Sequence, residues 1–412
     1  MQYIITKADK ILKGEITLPS SKSISNRILI INSLSYSPYL IDNLSDSDDT
    51  RVLEEVLNSN ANQFDIGHAG TAMRFLTAFL SKIAGEWTLT GSERMQQRPI
   101  GTLVDALRKL GASIEYVEND GFPPLKILGT SLAGGIIELD GSISSQYISA
   151  LLMIAPTIRG GLTLRLLNQV TSKPYIDLTL ALMKEFGIQH TLKENEIKIE
   201  EQHYKPIKFS VEADWSGASY WYAMAALSNE CDLLLKGLRL ESLQGDASQS
   251  EWFEKYFGVQ SVQEGNHVHL SKIRLTKPKI IEIDFIENPD IAQTFAVLAV
   301  CKKIPFHFKG LLTLKIKETN RILALQQELI KFGAILTEPE QGELAWDGTI
   351  DKSLLNQPPS IKTYHDHRMA LAFAMAAMVY PKLIIEDPLV ISKSYPGYWK
   401  DLLNMGFGVS EL

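Results

Sequence analysis

The chain has 412 residues, 45% of them hydrophobic, enough for more than one core at ~100–200 residues per domain. Its formal net charge of −7 argues against a general nucleic-acid or membrane binder, so any anion site must be local. Two cysteines, Cys231 and Cys301, form no disulfide framework and suggest a reducing compartment. No apolar run reaches the ~18–20 residues of a membrane span, and MQYIITKADKILKGEITL reads as strand, not as a signal or transit peptide. The expected location is the cytoplasm.

In chain order, one pattern occurs six times: a β-branched strand, a polar loop, then an apolar helix rich in small residues. The copies are EITLPSSKSISNRILIINSL, FDIGHAGTAMRFLTAFL, IELDGSISSQYISALLMIA, FSVEADWSGASYWYAMAAL, IEIDFIENPDIAQTFAVLAV and IKTYHDHRMALAFAMAAMV. Their loops centre on Ser23, Ala69, Ser145, Ser216, Ile291 and His367. A second pattern interleaves with it, an amphipathic helix closed by Gly111, Gly187, Gly258, Gly333 or Gly406 and followed by a strand. The first unit is shorter: VLEEVLNSNANQFDI has the helix and strand but no glycine. Beyond it both patterns recur every ~75 residues, too long for common solenoids of ~20–50, so the repeats suggest compact modules gathered into two domains. A division of three units each gives one domain at 20–212 and another at 1–19 with 213–412. Two crossings would then act as a hinge, and ligands favour such clefts.

Each copy ends in a helix N-terminus, where free N–H groups and the dipole attract anions. LPSSKSISNR places Lys22, Ser23 and Arg27 there, with Ser23 read as the N-cap. HAGTAMR offers Gly70, which allows a ligand close to the backbone, and Arg74. In GSERMQQRPIG, Pro99 suits the first turn of a helix over 99–110, so Arg98 would oppose that helix's dipole unless an anion sits there. GSISSQY supplies Ser144, Ser145 and Gln146 as phosphate donors, and VTSKPYID adds Ser172 and Tyr175. NPDIAQT places Asp290 at a helix start. LKIKETNRI offers Lys317, Glu318 and Arg321, with Lys317 and Arg321 on one face at i,i+4, an unfavourable pair without an anion. Glu318 could move a proton. YHDHRMA and VISKSYPGY add His365, Asp366, His367, Arg368 and Lys393. Ordinary capping explains the serines and Asp290 taken singly, but not the whole set. The H-x-H pairs at 267/269 and 365/367 lack ligands at a familiar metal spacing, so neither metal nor cofactor is expected.

Together these stretches resemble the 5-enolpyruvylshikimate-3-phosphate synthase family. LPSSKSISNR, HAGTAMR, LTGSERMQQRPIGTLVDAL, GSISSQY, VTSKPYIDLTLALM, ASYW, QGD, NPDIAQT, KETNR, YHDHRMA and SKSYP occur in family order from residue 18 to 396. The resemblance implies an α/β fold of two domains, each of three βαβαββ units, the inside-out barrel of enolpyruvyl transferases, closing about two crossings. It implies transfer of the enolpyruvyl group of phosphoenolpyruvate to the 5-hydroxyl of shikimate 3-phosphate by a monomer, through a tetrahedral intermediate. By motif, Ser23 and Arg27 would hold the shikimate carboxylate and Ser144, Ser145 and Ser172 its phosphate. Tyr175 would lie close by, and Lys317 and Asp290 against the hydroxyls. Arg98, Arg321, Arg368 and Lys393 would grip phosphoenolpyruvate, with Gly70 and Gln146 beside it. Glu318 would deliver the proton to the methylene, Asp290 would act as base, and Lys22 would stabilise developing charge.

The departures are His68, Phe75, Thr313, Asn320 and His365, where the family pattern has Asn, Pro, Asn, Asp and Asn. The sister UDP-N-acetylglucosamine enolpyruvyl transferase typically has a cysteine in the Arg-rich loop, which GSERMQQRP lacks. An inactive binding homologue would be expected to lose Lys22, Asp290 or Glu318, and all three are present.

Overall fold

A computed structural model describes residues 1–412. The chain divides into two compact units, Ser21–Val211 in one and Met1–Ser20 with Glu212–Leu412 in the other, and each has its own apolar core.

In the 21–211 unit, helices Lys22–Leu34, Gly70–Leu80 and Ser145–Ile154 pack on one another at the centre. Gly70–Leu80 and Ser145–Ile154 are largely apolar, as enclosed helices must be, while Lys22–Leu34 also buries Ser25, Asn26 and Arg27. Most of their unburied residues lie in the first turn: Lys22, Ser23, Thr71, Ser145 and Gln146. The helices are therefore sunk along their length and open at their N-terminal ends. Helices Asp48–Leu57, Gly101–Lys109 and Lys173–Glu185 are amphipathic instead; Gly101–Lys109 buries Leu103, Val104, Ala106 and Leu107 in one stripe.

Residues 63–129 run strand, helix, strand, helix, strand, strand, with one extra short helix at Glu93–Gln96, and 133–199 repeat that order. Their four-stranded sheets each contain one parallel pair, Gln63–Asp65 with Gly85–Thr90 and Ala133–Asp140 with Arg159–Leu167, beside antiparallel neighbours. The shortened first repeat keeps only Ile41–Asp42, paired in parallel with Phe209–Ser210, and its helix Asp48–Leu57 ends on Asn58 without glycine.

The other unit repeats this plan. Helices Trp215–Leu227, Ala292–Lys302 and His367–Ala374 are buried except for Ser216 and Lys302. Around them lie two four-stranded sheets and one of three strands. Strand Ile281–Asp284 buries Ile283 and exposes Glu282, the alternation expected of a one-sided sheet. Two of these sheets are completed from the far end of the chain. Ile11–Thr17 pairs in parallel with Glu230–Lys236, and Gln2–Lys7 lies between Leu383–Glu386 and Phe407–Glu411. The fold is thus α/β with mixed sheets outside and helices inside. All five predicted glycine stops have positive φ, the left-handed geometry that ends a helix.

Three local expectations are corrected. The cap of the first helix is Ser21, whose Oγ accepts from the Ile24 N–H at 3.4 Å; Ser23 lies inside the helix. The helix after Arg98 is Gly101–Lys109, so Pro99 precedes it. Lys317 and Arg321 do not share a helical face: Lys317 ends the short turn Leu312–Ile316 and a new helix begins at Arg321.

Candidate active site

In the unit formed by 1–20 and 212–412, three helix starts carry ionisable groups to one place. Asp290 sits in the turn Pro289–Ile291 that opens helix Ala292–Lys302. Arg321 is the first residue of helix Arg321–Leu329. Asp366 caps His367–Ala374 by accepting from the Arg368 N–H at 2.9 Å. Arg321 is 2% exposed and meets three carboxylates: Asp366 at 2.6 Å, Glu318 at 2.9 Å and Asp290 at 3.0 Å. Arg368 reaches Asp290 at 3.1 Å, Lys317 approaches it at 3.5 Å, and Lys393 meets Glu318 at 2.5 Å.

The expected local cost at Arg321 is therefore absent. Carboxylates brought from residues 290 and 366 offset the dipole and the neighbouring cations. Lys317, Arg321, Arg368 and Lys393 are thus tied into one ion-pair cluster with Asp290, Glu318 and Asp366. Burial alone would raise the Asp290 pKa, but Arg368, Lys317 and Arg321 outweigh it and hold the carboxyl well below the usual range. Burial lowers the Lys317 pKa, against the attraction of Asp290.

A fourth carboxylate, Asp246, was not among the expected site residues, although QGD belongs to the motif set. It is 5% exposed, accepts from Ser216 Oγ and, at 3.2 Å, from Asn288 Nδ2. Burial raises its pKa, and the nearby Asp290 adds to the effect.

The 21–211 unit supplies donors of a different kind. Arg27 is 3% exposed, and all its hydrogen bonds go to neutral acceptors: Thr179 Oγ1 at 2.7 Å, the Ser23 carbonyl at 2.8 Å, Ser149 Oγ at 3.1 Å and the Tyr175 carbonyl at 3.3 Å. Its guanidinium also lies 5.5 Å from the Phe75 ring centre and 5.9 Å from that of Tyr175. Burial pushes its pKa down to about 10. A desolvated cation held by neutral groups is suited to an incoming carboxylate. Ser23, Arg27 and Tyr175 are thus brought together. Lys22 approaches Asp49 at 3.6 Å, a partner the sequence reading did not single out.

Arg98 lies against the start of helix Gly70–Leu80. A Cβ on Gly70 would stand 2.5 Å from Arg98 Nη1, so only glycine leaves the guanidinium this place. The Nε of Arg98 is buried without a hydrogen-bond partner. Arg74, in the same helix, donates to the carbonyls of Gly70 at 3.1 Å and Pro99 at 3.0 Å, which fixes the loop that carries Arg98. Gln146 donates to Thr71 Oγ1 at 3.3 Å.

Ser144 heads helix Ser145–Ile154 without using its hydroxyl on the cap. Ser172 heads Lys173–Glu185 in the left-handed region, at φ 54° and ψ 38°. Thr171 donates to the Gly141 and Ser142 carbonyls, tying together the loops that precede the two helices. The serines thus stand at two linked helix N-termini, an arrangement suited to phosphate.

Repeated α/β units whose open helix ends carry cations and hydroxyls define an enzyme-like architecture for small anionic ligands. A model of the family EPSP synthase (3-phosphoshikimate 1-carboxyvinyltransferase) matches residues 6–59 and 53–402. A 3-phosphoshikimate 1-carboxyvinyltransferase of Bacteroides fragilis is 50% identical over 410 residues, 99% of each chain. One from Shewanella baltica is 38% identical, covering 96% of this chain and 97% of its own. The solved EPSP synthase of Acinetobacter baumannii superposes with a TM-score of 0.78 at 20% identity over the whole of both chains, a likeness of fold. The chain belongs to the EPSP synthase family.

Proposed function

We infer that this protein transfers the enolpyruvyl group of phosphoenolpyruvate to the 5-hydroxyl of shikimate 3-phosphate, releasing phosphate. The observation that carries this reading is full-length membership of the family, with 3-phosphoshikimate 1-carboxyvinyltransferases 50% and 38% identical to this chain. These matches do not favour the sister transferase or a binding-only homologue. No helix is long and apolar enough to cross a membrane. Action as a cytoplasmic monomer is part of the proposal, and sedimentation of the pure protein checks the oligomeric state.

In the proposed assignment, Ser23 and Arg27 hold the shikimate carboxylate, with Tyr175 beside it. Ser144, Ser145 and Ser172 hold its phosphate. Lys317 and Asp290 meet its hydroxyls. Arg98, Arg321, Arg368 and Lys393 take phosphoenolpyruvate, with Gly70 and Gln146 adjoining. The reaction adds a proton to the methylene carbon and the 5-hydroxyl oxygen to the central carbon. The tetrahedral intermediate then loses phosphate as its C–O bond breaks, and the methyl carbon returns one proton to the group that delivered it and becomes a methylene again.

Glu318 is the proposed proton carrier at that carbon: Lys393 and Arg321 grip one oxygen each and fix its plane, and it takes up a proton once phosphoenolpyruvate draws those cations to itself. Asp290 is the proposed base for the hydroxyl. Its depressed pKa makes it a weak base while Arg368, Lys317 and Arg321 face it. Anionic substrate bound to Arg321 and Arg368 would screen those cations from Asp290 and raise its basicity. Lys22 is proposed to stabilise developing charge. A phosphate-release assay with both substrates tests the activity. Glu318→Gln keeps the shape and removes the acid, so turnover should fall by ~10²–10⁴ with smaller changes in KM. Near-normal turnover would move the proton role to Lys22.

A further inference from the structure

We propose that Glu328 is a positioning residue for the start of helix His367–Ala374, and hence for Arg368. The proposal rests on the reading that Arg368 binds phosphoenolpyruvate.

Glu328 lies in the last turn of helix Arg321–Leu329 and is 1% exposed. A carboxylate there is disfavoured twice, by burial and by the helix dipole. Its oxygens are accordingly well used. Oε1 accepts from the Tyr364 hydroxyl at 2.6 Å. Oε2 accepts from Lys331 Nζ at 2.6 Å and from the Lys362 N–H at 3.0 Å. Lys331 also donates to the Ser360 carbonyl at 2.7 Å. One buried carboxylate thus fastens the backbone at 362 and the side chain at 364 directly, and the backbone at 360 through Lys331.

The segment it fastens is strained. Tyr364 and His365 both have positive φ, 54° and 57°, and the turn closes with the Asp366 N–H donating to the Thr363 carbonyl at 2.9 Å. Two consecutive left-handed residues, one of them an aromatic, persist only where the surroundings impose them. The His365 side chain is exposed, with only Asp387 nearby at 3.4 Å, so it supplies little restraint. On the incoming side, strand pairing with Leu383–Glu386 anchors Ser360 and Ile361, and beyond it the hold comes from Glu328, with Gln327 Oε1 also 2.9 Å from the Tyr364 hydroxyl. On the outgoing side, Asp366 accepts from Arg321 Nε at 2.6 Å and from the Arg368 N–H. The two ends of helix Arg321–Leu329 thus grip the two sides of one turn, and that turn sets where Arg368 points. Nothing in the local sequence marks Glu328, which reads as an ordinary polar residue of an amphipathic helix.

The test uses Glu328→Ala, Glu328→Gln and Tyr364→Phe in the full chain, with KM for each substrate, kcat and the melting temperature. Loosening the turn should raise KM for phosphoenolpyruvate by ~10-fold in Glu328→Ala, with kcat falling less and KM for shikimate 3-phosphate nearly unchanged. Glu328→Gln should restore most of the loss. Its amide oxygen can face Lys331 and the Lys362 N–H while its NH₂ donates to the Tyr364 oxygen. Tyr364→Phe removes only the tie to the turn and should show the same selectivity at smaller size. It decides the matter alone if Glu328→Ala does not fold. Lower melting temperatures with unchanged KM for phosphoenolpyruvate in active variants would overturn the positioning role while leaving the function intact. Wild-type protein without turnover would overturn both.

Discussion

Arg321→Gln separates two views of the same residue. From sequence alone, a cation at a helix start beside Lys317 costs the empty protein stability, and removing it should be harmless or slightly favourable. The structure reverses that sign. Arg321 is buried among Asp366, Glu318 and Asp290, at 2.6, 2.9 and 3.0 Å. Asp366 is fully buried, so it cannot recover the lost interaction from water. Breaking a buried ion pair on one side costs ~3–5 kcal/mol, because the remaining charge stays desolvated. Arg368, Lys317 and Lys393 continue to offset Asp290 and Glu318, which keeps the expected loss in that range despite three partners. For a folding unit of ~200 residues, each kcal/mol moves Tm by ~2–4 °C, so ligand-free protein should melt roughly 6–20 °C lower. Calorimetry without phosphate in the buffer measures this, and a circular dichroism melt confirms that the same transition moves. The variant should also bind phosphoenolpyruvate poorly, but that alone does not discriminate. An unchanged or raised Tm in the ligand-free variant would refute the reasoning and restore the view that Arg321 is held there only for its ligand.

Three further outcomes follow from the geometry. Ser144→Ala should weaken shikimate 3-phosphate by ~1.5–3 kcal/mol in a calorimetric titration, since one hydrogen bond to a charged group is lost; unchanged affinity would remove Ser144 from the site. Gly70→Ala should displace the Arg98 guanidinium, because the new methyl would meet Nη1 at 2.5 Å; KM for phosphoenolpyruvate should rise while Tm changes little, as the far end of a flexible side chain can yield. Asp290 has a folded pKa below its unfolded value, so its ionisation stabilises the fold above about pH 4, and that contribution is lost as pH falls through the folded value. Asp290→Asn should therefore lose less stability than wild type between about pH 4 and pH 2, measured by thermal melts; equal acid sensitivity would show that the carboxylate is not held as described.

Much of this architecture was legible because it is written locally. Small apolar residues make a helix that can be buried all round, and Gly111, Gly187, Gly258, Gly333 and Gly406 supply the left-handed stops. A strand–loop–helix pattern recurring at a fixed period needs no knowledge of what packs against what. The loops bearing Lys22, Gly70, Ser144, Asp290 and Arg368 could be picked out for the same reason. Donors and charges stand at helix starts, and a helix start has a local signature. The misplaced cap at Ser23 and the late helix after Pro99 are errors of two residues each, set by which serine or isoleucine turns the backbone. Sequence spacing leaves that open within a turn.

Partnership is a different kind of fact. Arg321 meets Asp290 and Asp366 from positions 31 and 45 residues away, and Glu328 meets Lys362 and Tyr364 from 34 and 36. Such pairs depend on which helix ends the packing of the core brings together, and no periodicity encodes them. The same holds for strands Gln2–Lys7 and Ile11–Thr17, which complete sheets built mostly from residues beyond 229. By itself, then, the chain determined its repeats, its helix starts and the family whose ordered motifs it carries, because each is a property of contiguous residues. Only the tertiary structure decided that Arg321 is neutralised by carboxylates, that Asp246 and Asp49 stand beside the expected residues, and that a buried carboxylate helps hold the turn before Arg368. Those depend on burial and on distances of a few ångströms between residues far apart in sequence, and a charge gains or loses several kcal/mol according to what lies within that reach.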